Sequence, residues 1–311
     1  MRRVRKGRTS VWLDPVVAGG EAFGGRVLFF STYRLRNPGL RNAGLRNAKT
    51  VNHRQPFRRF VAIGDSFTEG LDDELRFDGR HRGWADRVAD LLVTRQQLDR
   101  IEYANLAVRG RLAPQVRAVQ VPRAIELSPD LVSVGAGVND ALRRGFDLDA
   151  VATELESSVR DVTRAGCHVL VFAFGDPSRR SRALGNISDR MRAYRSATLE
   201  IARVYGCSVV DFWGIALYDD ERLWAEDRLH LSPMGHRLTA EAVMEALGLG
   251  NQDWRSPVPD PPRPRWRERR RADATWLVAH AGPWIGRRVR GVTSGQGITP
   301  KDPDYRIIHR P

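Results

Sequence analysis

Five short apolar runs, separated by stretches of helical periodicity at the spacing of βα units, restrict this chain to a parallel sheet. The runs are Phe60 to Ile63, Ile101 to Leu106, Leu131 to Val134, His168 to Phe174 and Ser208 to Phe212. Between the first two, Trp84 to Leu92 repeats apolar residues at three and four (Trp84, Val88, Leu91, Leu92). Further helices are expected over Val116 to Leu127, Leu148 to Ala165, Met191 to Tyr205 and Pro233 to Leu247. Five strands with helices on both faces make a flavodoxin-like doubly wound α/β domain, whose ligand sites gather at the carboxyl ends of the strands.

Chemistry-bearing residues follow those ends. Gly64-Asp65-Ser66-Phe67-Thr68-Glu69-Gly70 comes directly after the first run, where a serine can face a cleft as a nucleophile. Asn105 to Gly110 follows the second run, Gly137-Val138-Asn139-Asp140 the third, and Asp227-Arg228-Leu229-His230 comes late. Small polar residues after a strand usually make only a turn, but the ordered set is far more specific. Acyl transfer needs a nucleophile, a base to take its proton, a group that orients the base, and donors for the oxyanion. Ser66 is the candidate nucleophile. His230, with an ordinary pKa of about 6.5, can accept the serine proton and return it to a leaving group. Asp227, three residues earlier, meets the imidazole across a single turn.

On these four blocks the chain resembles the SGNH hydrolase superfamily, the GDSL-type esterases and lipases, over roughly Phe57 to Gly250. It is most similar to the intracellular-looking members of high-GC bacteria. Phe67 stands where the namesake motif has leucine. The resemblance implies a serine esterase or acylhydrolase working through an acyl-enzyme on Ser66. It assigns the oxyanion hole to the backbone amides of Ser66 and Gly110 and the side-chain amide of Asn139.

Each residue also has a plainer reading. Gly110 suits the positive φ of a strand-to-helix turn, Asn139-Asp140 the cap of a helix beginning near Ala141, and Asp227 and His230 an ordinary surface pair. His236, in Pro233-Met234-Gly235-His236, is the rival base and reads as a surface or capping residue of a helix start. Asp65 and Asp140 read as loop-fixing groups. Other enzyme classes lack support: Gly64 to Thr68 misses the second glycine of a Gly-x-Ser-x-Gly elbow, no Gly-x-Gly-x-x-Gly follows the first strand, and no P-loop occurs. The histidines are scattered and there are two cysteines, so a metal-free mechanism without cofactor is expected. Cys167 and Cys207 read as buried thiols rather than a disulfide.

Charge separates the chain into three parts. The net +14 divides into +12 over residues 1–60, −5 over 61–250 and +7 over 251–311. A nucleic-acid or anionic-membrane partner therefore rests on the flanks alone. Arginine outnumbers lysine 48 to 3, as GC-rich codons would give, and nucleic acid is not expected as a partner. The expected partner is a small-molecule, lipid or carbohydrate ester. Arg80, Arg82, Arg179 and Arg180 either steer an anionic substrate or form a solvated face.

The expected domains are a disordered basic extension over 1–55, a catalytic domain over 56–250, a Pro-rich linker over 251–262 and a basic, Trp-containing extension over 263–311. The first carries an imperfect repeat (Leu35-Arg36-Asn37-Pro38-Gly39, Leu40-Arg41-Asn42-Ala43-Gly44) and is either a tether or the product of a start codon placed too far upstream. In the last, a short helix through Ala281 is expected, and Trp276, Leu277 and His280, followed by Trp284 and Ile285, form either an apolar face packing on the catalytic domain, the favoured reading, or a basic, tryptophan-bearing surface for anionic lipid or nucleic acid, while Gly291 to Pro311 shows no regular pattern. Asp14, Glu21 and Arg26 interrupt the apolar stretches that a secretory signal would need, and no apolar run reaches about 18 residues, so a cytoplasmic enzyme is expected. Acyl transfer to an alcohol on the same residues, or a non-catalytic binding module with basic flanks, are the alternatives.

Overall fold

A computed structural model describes residues 55–176, 178, 187–250, 253–256 and 295–311. The expectations for residues 1–54, for Arg179 and Arg180, and for the helix through Ala281 with Trp284 and Ile285 after it lie outside the described residues.

Strands β1 (Arg59–Gly64), β2 (Arg100–Asn105), β3 (Leu131–Gly135), β4 (His168–Ala173) and β5 (Ser208–Asp211) fall within two residues of the five apolar runs. They pair in parallel in the order β5-β4-β3-β1-β2. The runs are apolar without alternation because helices cover both faces. Phe60 and Ala62 of β1 join Trp84, Val88 and Leu92 of α2 (Gly83–Arg95) and Val243 of α8 (Pro233–Ala246) in one core. Val61 and Ile63 point the other way, into a core shared with Leu155 and Val159 of α6 (Leu148–Arg164) and Ile201 of α7 (Ser188–Tyr205).

Two elements differ from the sequence reading. The stretch Gly291 to Pro311 contains a sixth strand, β6 (Asp302–His309), antiparallel to β2 with Ile101 opposite Ile308 and Tyr103 opposite Arg306. The strand lies at the sheet edge, where Pro303 is tolerated because it has no inner ladder to donate to. The helix expected over Val116 to Leu127 is interrupted. It runs as α3 (Ala113–Gln115), a π-helical turn (Val116–Gln120) and α4 (Val121–Glu126). Pro122 has no N–H to give to the carbonyl one turn earlier, which favours a widened turn at this point.

The widened turn carries Gln120 into the sheet. Its side chain accepts from the Gly64 N–H (2.7 Å) and donates to the Gly64 carbonyl (2.9 Å), so it holds the end of β1 immediately before Ser66. Gly64 must be glycine there, since a Cβ would come within 2.3 Å of the Gly135 carbonyl. Replacing Gln120 by leucine is expected to orphan the buried Gly64 N–H and cost about 1–3 kcal/mol, a loss that urea unfolding at neutral pH would register.

Candidate active site

Ser66 opens the one-turn helix α1 (Ser66–Glu69), which starts at the carboxyl end of β1, where the chain order along the sheet reverses. Asp65 caps this turn, accepting from the Phe67 N–H at 3.1 Å. Phe67 anchors it in an aromatic cluster with Trp84, Phe172 and Phe174, ring centroids 5.1–5.5 Å away. A leucine at this position would fill less of that box, so Phe67 is the local solution for seating the helix.

His230 reaches Ser66 from the loop before α8. Its Nε2 lies 3.1 Å from Ser66 Oγ, and its Nδ1 lies 2.6 Å from Asp227 Oδ2. Asp227 is held in turn by the backbone N–H groups of Leu229 (2.9 Å) and His230 (3.0 Å). Burial works against charge on both partners, but the mutual hydrogen bond and attraction prevail. They draw Asp227 down to about 2 and, together with Asp72, lift His230 to about 9.

Gly110 sits at φ 73, the left-handed conformation that the turn reading expects. Among the described residues, neither the Ser66 nor the Gly110 backbone N–H has an acceptor. Asn139 lies inside the short helix α5 (Val138–Ala141) rather than at its cap. Its side-chain amide donates to Asp65 Oδ2 (2.9 Å) and to the Arg111 carbonyl (3.2 Å). Asp65 is fully buried, and burial raises its pKa to about 7 against the opposing Phe67 backbone bond. Asp140 accepts from the Ala113 N–H at 3.0 Å. Both aspartates therefore fix loops, as expected.

His236 requires a correction. It is neither at the surface nor a cap, but fully buried. Its Nδ1 accepts from the Trp84 N–H (3.1 Å) and its Nε2 donates to the Leu71 carbonyl (2.9 Å). Burial pushes its pKa down to about 4. A histidine lowered in this way contributes stability at pH values above its unfolded pKa of about 6.5, and that contribution is lost as pH falls towards 4. Stability in urea should decline across that window by up to about 3 kcal/mol from this group. In His236→Gln, less stable at pH 7.5, that part of the slope should be missing.

The sequence reading missed three contributors. Glu69 receives the Arg109 N–H (2.6 Å) and Nε (3.0 Å), tying the Gly110 loop to the Ser66 helix. Asp73 accepts from Gly83 N–H (2.8 Å) and from Arg87 Nε (2.9 Å), fixing the loop after α1. Asp72, on that loop, brings its Oδ2 to 3.3 Å from His230 Nδ1. Of the arginines considered for steering, Arg82 is taken up by Asp90. Arg80 lines a cavity of about 360 Å³ beside the site, with Glu69, His81, Arg109 and Thr299.

The sequence model of the GDSL-like lipase/acylhydrolase family matches residues 62–238, more than half of the chain, and the match spans Ser66, Gly110, Asn139, Asp227 and His230. The chain belongs to this family. It is an SGNH-type serine hydrolase acting on esters. A search of curated proteins returned no match. Among solved structures, the family fold is shared with LAE5, an alpha/beta hydrolase enzyme from the metagenome of Lake Arreo, Spain, at 22% identity and a TM-score of 0.53, over 63% of this chain and 97% of that one. Axe2, an acetylxylan esterase from Geobacillus stearothermophilus, gives the same four values. A catalytic mutant of that esterase aligns at 21% identity with a TM-score of 0.54, over 63% of this chain and 97% of that one. At this identity the likeness is one of fold. No helix among the described residues is long and apolar enough to cross a membrane.

Proposed function

We propose that this family member cleaves a small carboxylic ester through an acyl-enzyme on Ser66. The observation that carries the reading is the continuous line from Ser66 Oγ through His230 to Asp227, with links of 3.1 and 2.6 Å. In the first half-reaction Oγ bonds to the ester carbonyl carbon while its proton passes to His230 Nε2. Asp227 stabilises the resulting imidazolium. The tetrahedral oxyanion takes hydrogen bonds from the Ser66 and Gly110 N–H groups, and from Asn139 when its amide exchanges the Arg111 carbonyl for the substrate. Collapse breaks the bond to the alcohol oxygen, which leaves with the proton from Nε2. Water then repeats the sequence and releases the acid.

On this reading residues 56–250 form the catalytic domain, completed by β6. Acetyl esters are the natural first donors, because Axe2 is an acetylxylan esterase. The test is hydrolysis of p-nitrophenyl acetate, butyrate and octanoate by the protein and by Ser66→Ala. Turnover that depends on Ser66 is expected, and equal rates in the two proteins would sink the reading. Product ester outpacing free acid when an alcohol is added would move it to acyl transfer.

A further inference from the structure

We propose that Asp72 is a second carboxylate partner of the His230 imidazole, a positioning residue that shares Nδ1 with Asp227 and helps set the pH at which the enzyme works. The inference rests on the reading of Ser66 and His230 as nucleophile and base.

Three observations support it. First, Asp72 Oδ2 stands 3.3 Å from Nδ1, on the atom that already binds Asp227 at 2.6 Å. One N–H cannot serve both equally, so Asp227 takes the hydrogen bond and Asp72 adds its charge. Second, Asp72 adopts φ 66, a left-handed conformation that a residue other than glycine occupies at some cost and that tends to mark functional positions. Third, the residues on either side are clamped from other elements. The Leu71 carbonyl is bound by His236 of α8, and Asp73 by Gly83 and Arg87 of α2. The short loop is thus held from both sides while its middle carboxylate faces the imidazole.

Among the described residues, the groups facing His230 are Asp227 on its own loop, Asp72 on the loop after α1, the neutral Ser66 hydroxyl, and Asp65, whose burial favours its uncharged form. The charges in this set are all negative, and those at ion-pair distance belong to Asp227 and Asp72. They favour the imidazolium, which is the form that must develop as Ser66 attacks. The same charges keep the resting histidine protonated to higher pH, so the base form accumulates only on the alkaline side. His230, raised to about 9, carries this tendency in the free enzyme.

The experiment is the pH dependence of kcat/KM for p-nitrophenyl acetate in the wild type, Asp72→Asn and Asp72→Gly, with a chelator present so that no ion held by the carboxylates contributes. Asparagine tolerates the left-handed conformation and glycine adopts it freely, so both remove charge without forcing the loop. The acid limb should move down by about one pH unit in both variants, and by less at high salt because Asp72 is partly exposed. NMR titration of the His230 ring should shift with it. A limb and ring titration unmoved in both variants would overturn the proposal, even if the rate fell, since a purely structural loop residue would lower the rate at every pH. If Ser66→Ala or His230→Ala keeps wild-type turnover, the triad reading itself fails, and with it the basis for Asp72.

Discussion

Ser66→Ala should lower ester turnover by about four to six orders of magnitude while leaving the unfolding midpoint nearly unchanged. The loss is large because nucleophile and base act as a unit. Without Oγ, His230 has no proton to take, and what persists is catalysis by the oxyanion donors and substrate binding alone. His230→Ala should fall into the same range, and the double variant should be little worse than either single one. The fold should tolerate the change, since Ser66 Oγ bonds to His230 alone among the described residues, and the turn it begins is held by Asp65, Phe67 and Gly70 instead. Retention of more than about a tenth of the activity would mean that another group attacks the ester.

Deleting residues 295–311 should destabilise the protein by several kcal/mol and remove activity with it. Asp86, 1% exposed, meets Lys301 Nζ (2.6 Å), Arg306 Nη2 (2.5 Å) and Arg76 Nη1 (3.1 Å). The deletion takes away two of these three cations. Breaking a buried pair by removing one side typically costs about 3–5 kcal/mol, because the remaining charge stays desolvated. Native stability is commonly only about 5–15 kcal/mol, so a loss of this size is severe. The same segment rests on the active-site loop, with Gly295 so close that a Cβ would come within 2.1 Å of the Arg109 carbonyl. Equilibrium unfolding of the truncated chain checks the expectation, with Ile307→Thr as a control. Ile307 is 43% exposed, and its replacement should stay within about 0.5 kcal/mol. An unchanged midpoint after truncation would mean that β6 lies outside the cooperative unit.

The parallel strands were legible because each is an apolar run long enough to be buried on both faces, and Ser66 because it stands just past the end of the first; Asp227 and His230 follow no strand end, and their pairing was legible only from a spacing of three residues that one turn closes. β6 was not legible. Only Asp302 and Ile308 of its eight residues are buried, Ile307 and Ile308 are adjacent rather than alternating, and Pro303 argues against a strand. What makes it a strand is the open edge of β2 and the buried Asp86, neither visible in residues 302–309 themselves. His236 was misread for a related reason. Its partners Trp84 and Leu71 lie 152 and 165 positions away, and nothing local marks a histidine that bonds two backbone groups. Asp72 escaped notice because its meeting with His230 depends on the left-handed turn after α1.

The pairing of β2 with β6 joins residues some two hundred positions apart, Arg100 opposite His309. Closing so long a loop is entropically unfavourable and gains little before the rest of the sheet exists, so this edge completes late in folding. Until it does, β2 offers unpaired backbone groups that any neighbouring chain can occupy as readily as β6. Recovery from denaturant is then a contest between an intramolecular closure and a bimolecular one, and dilution, rather than time, decides it.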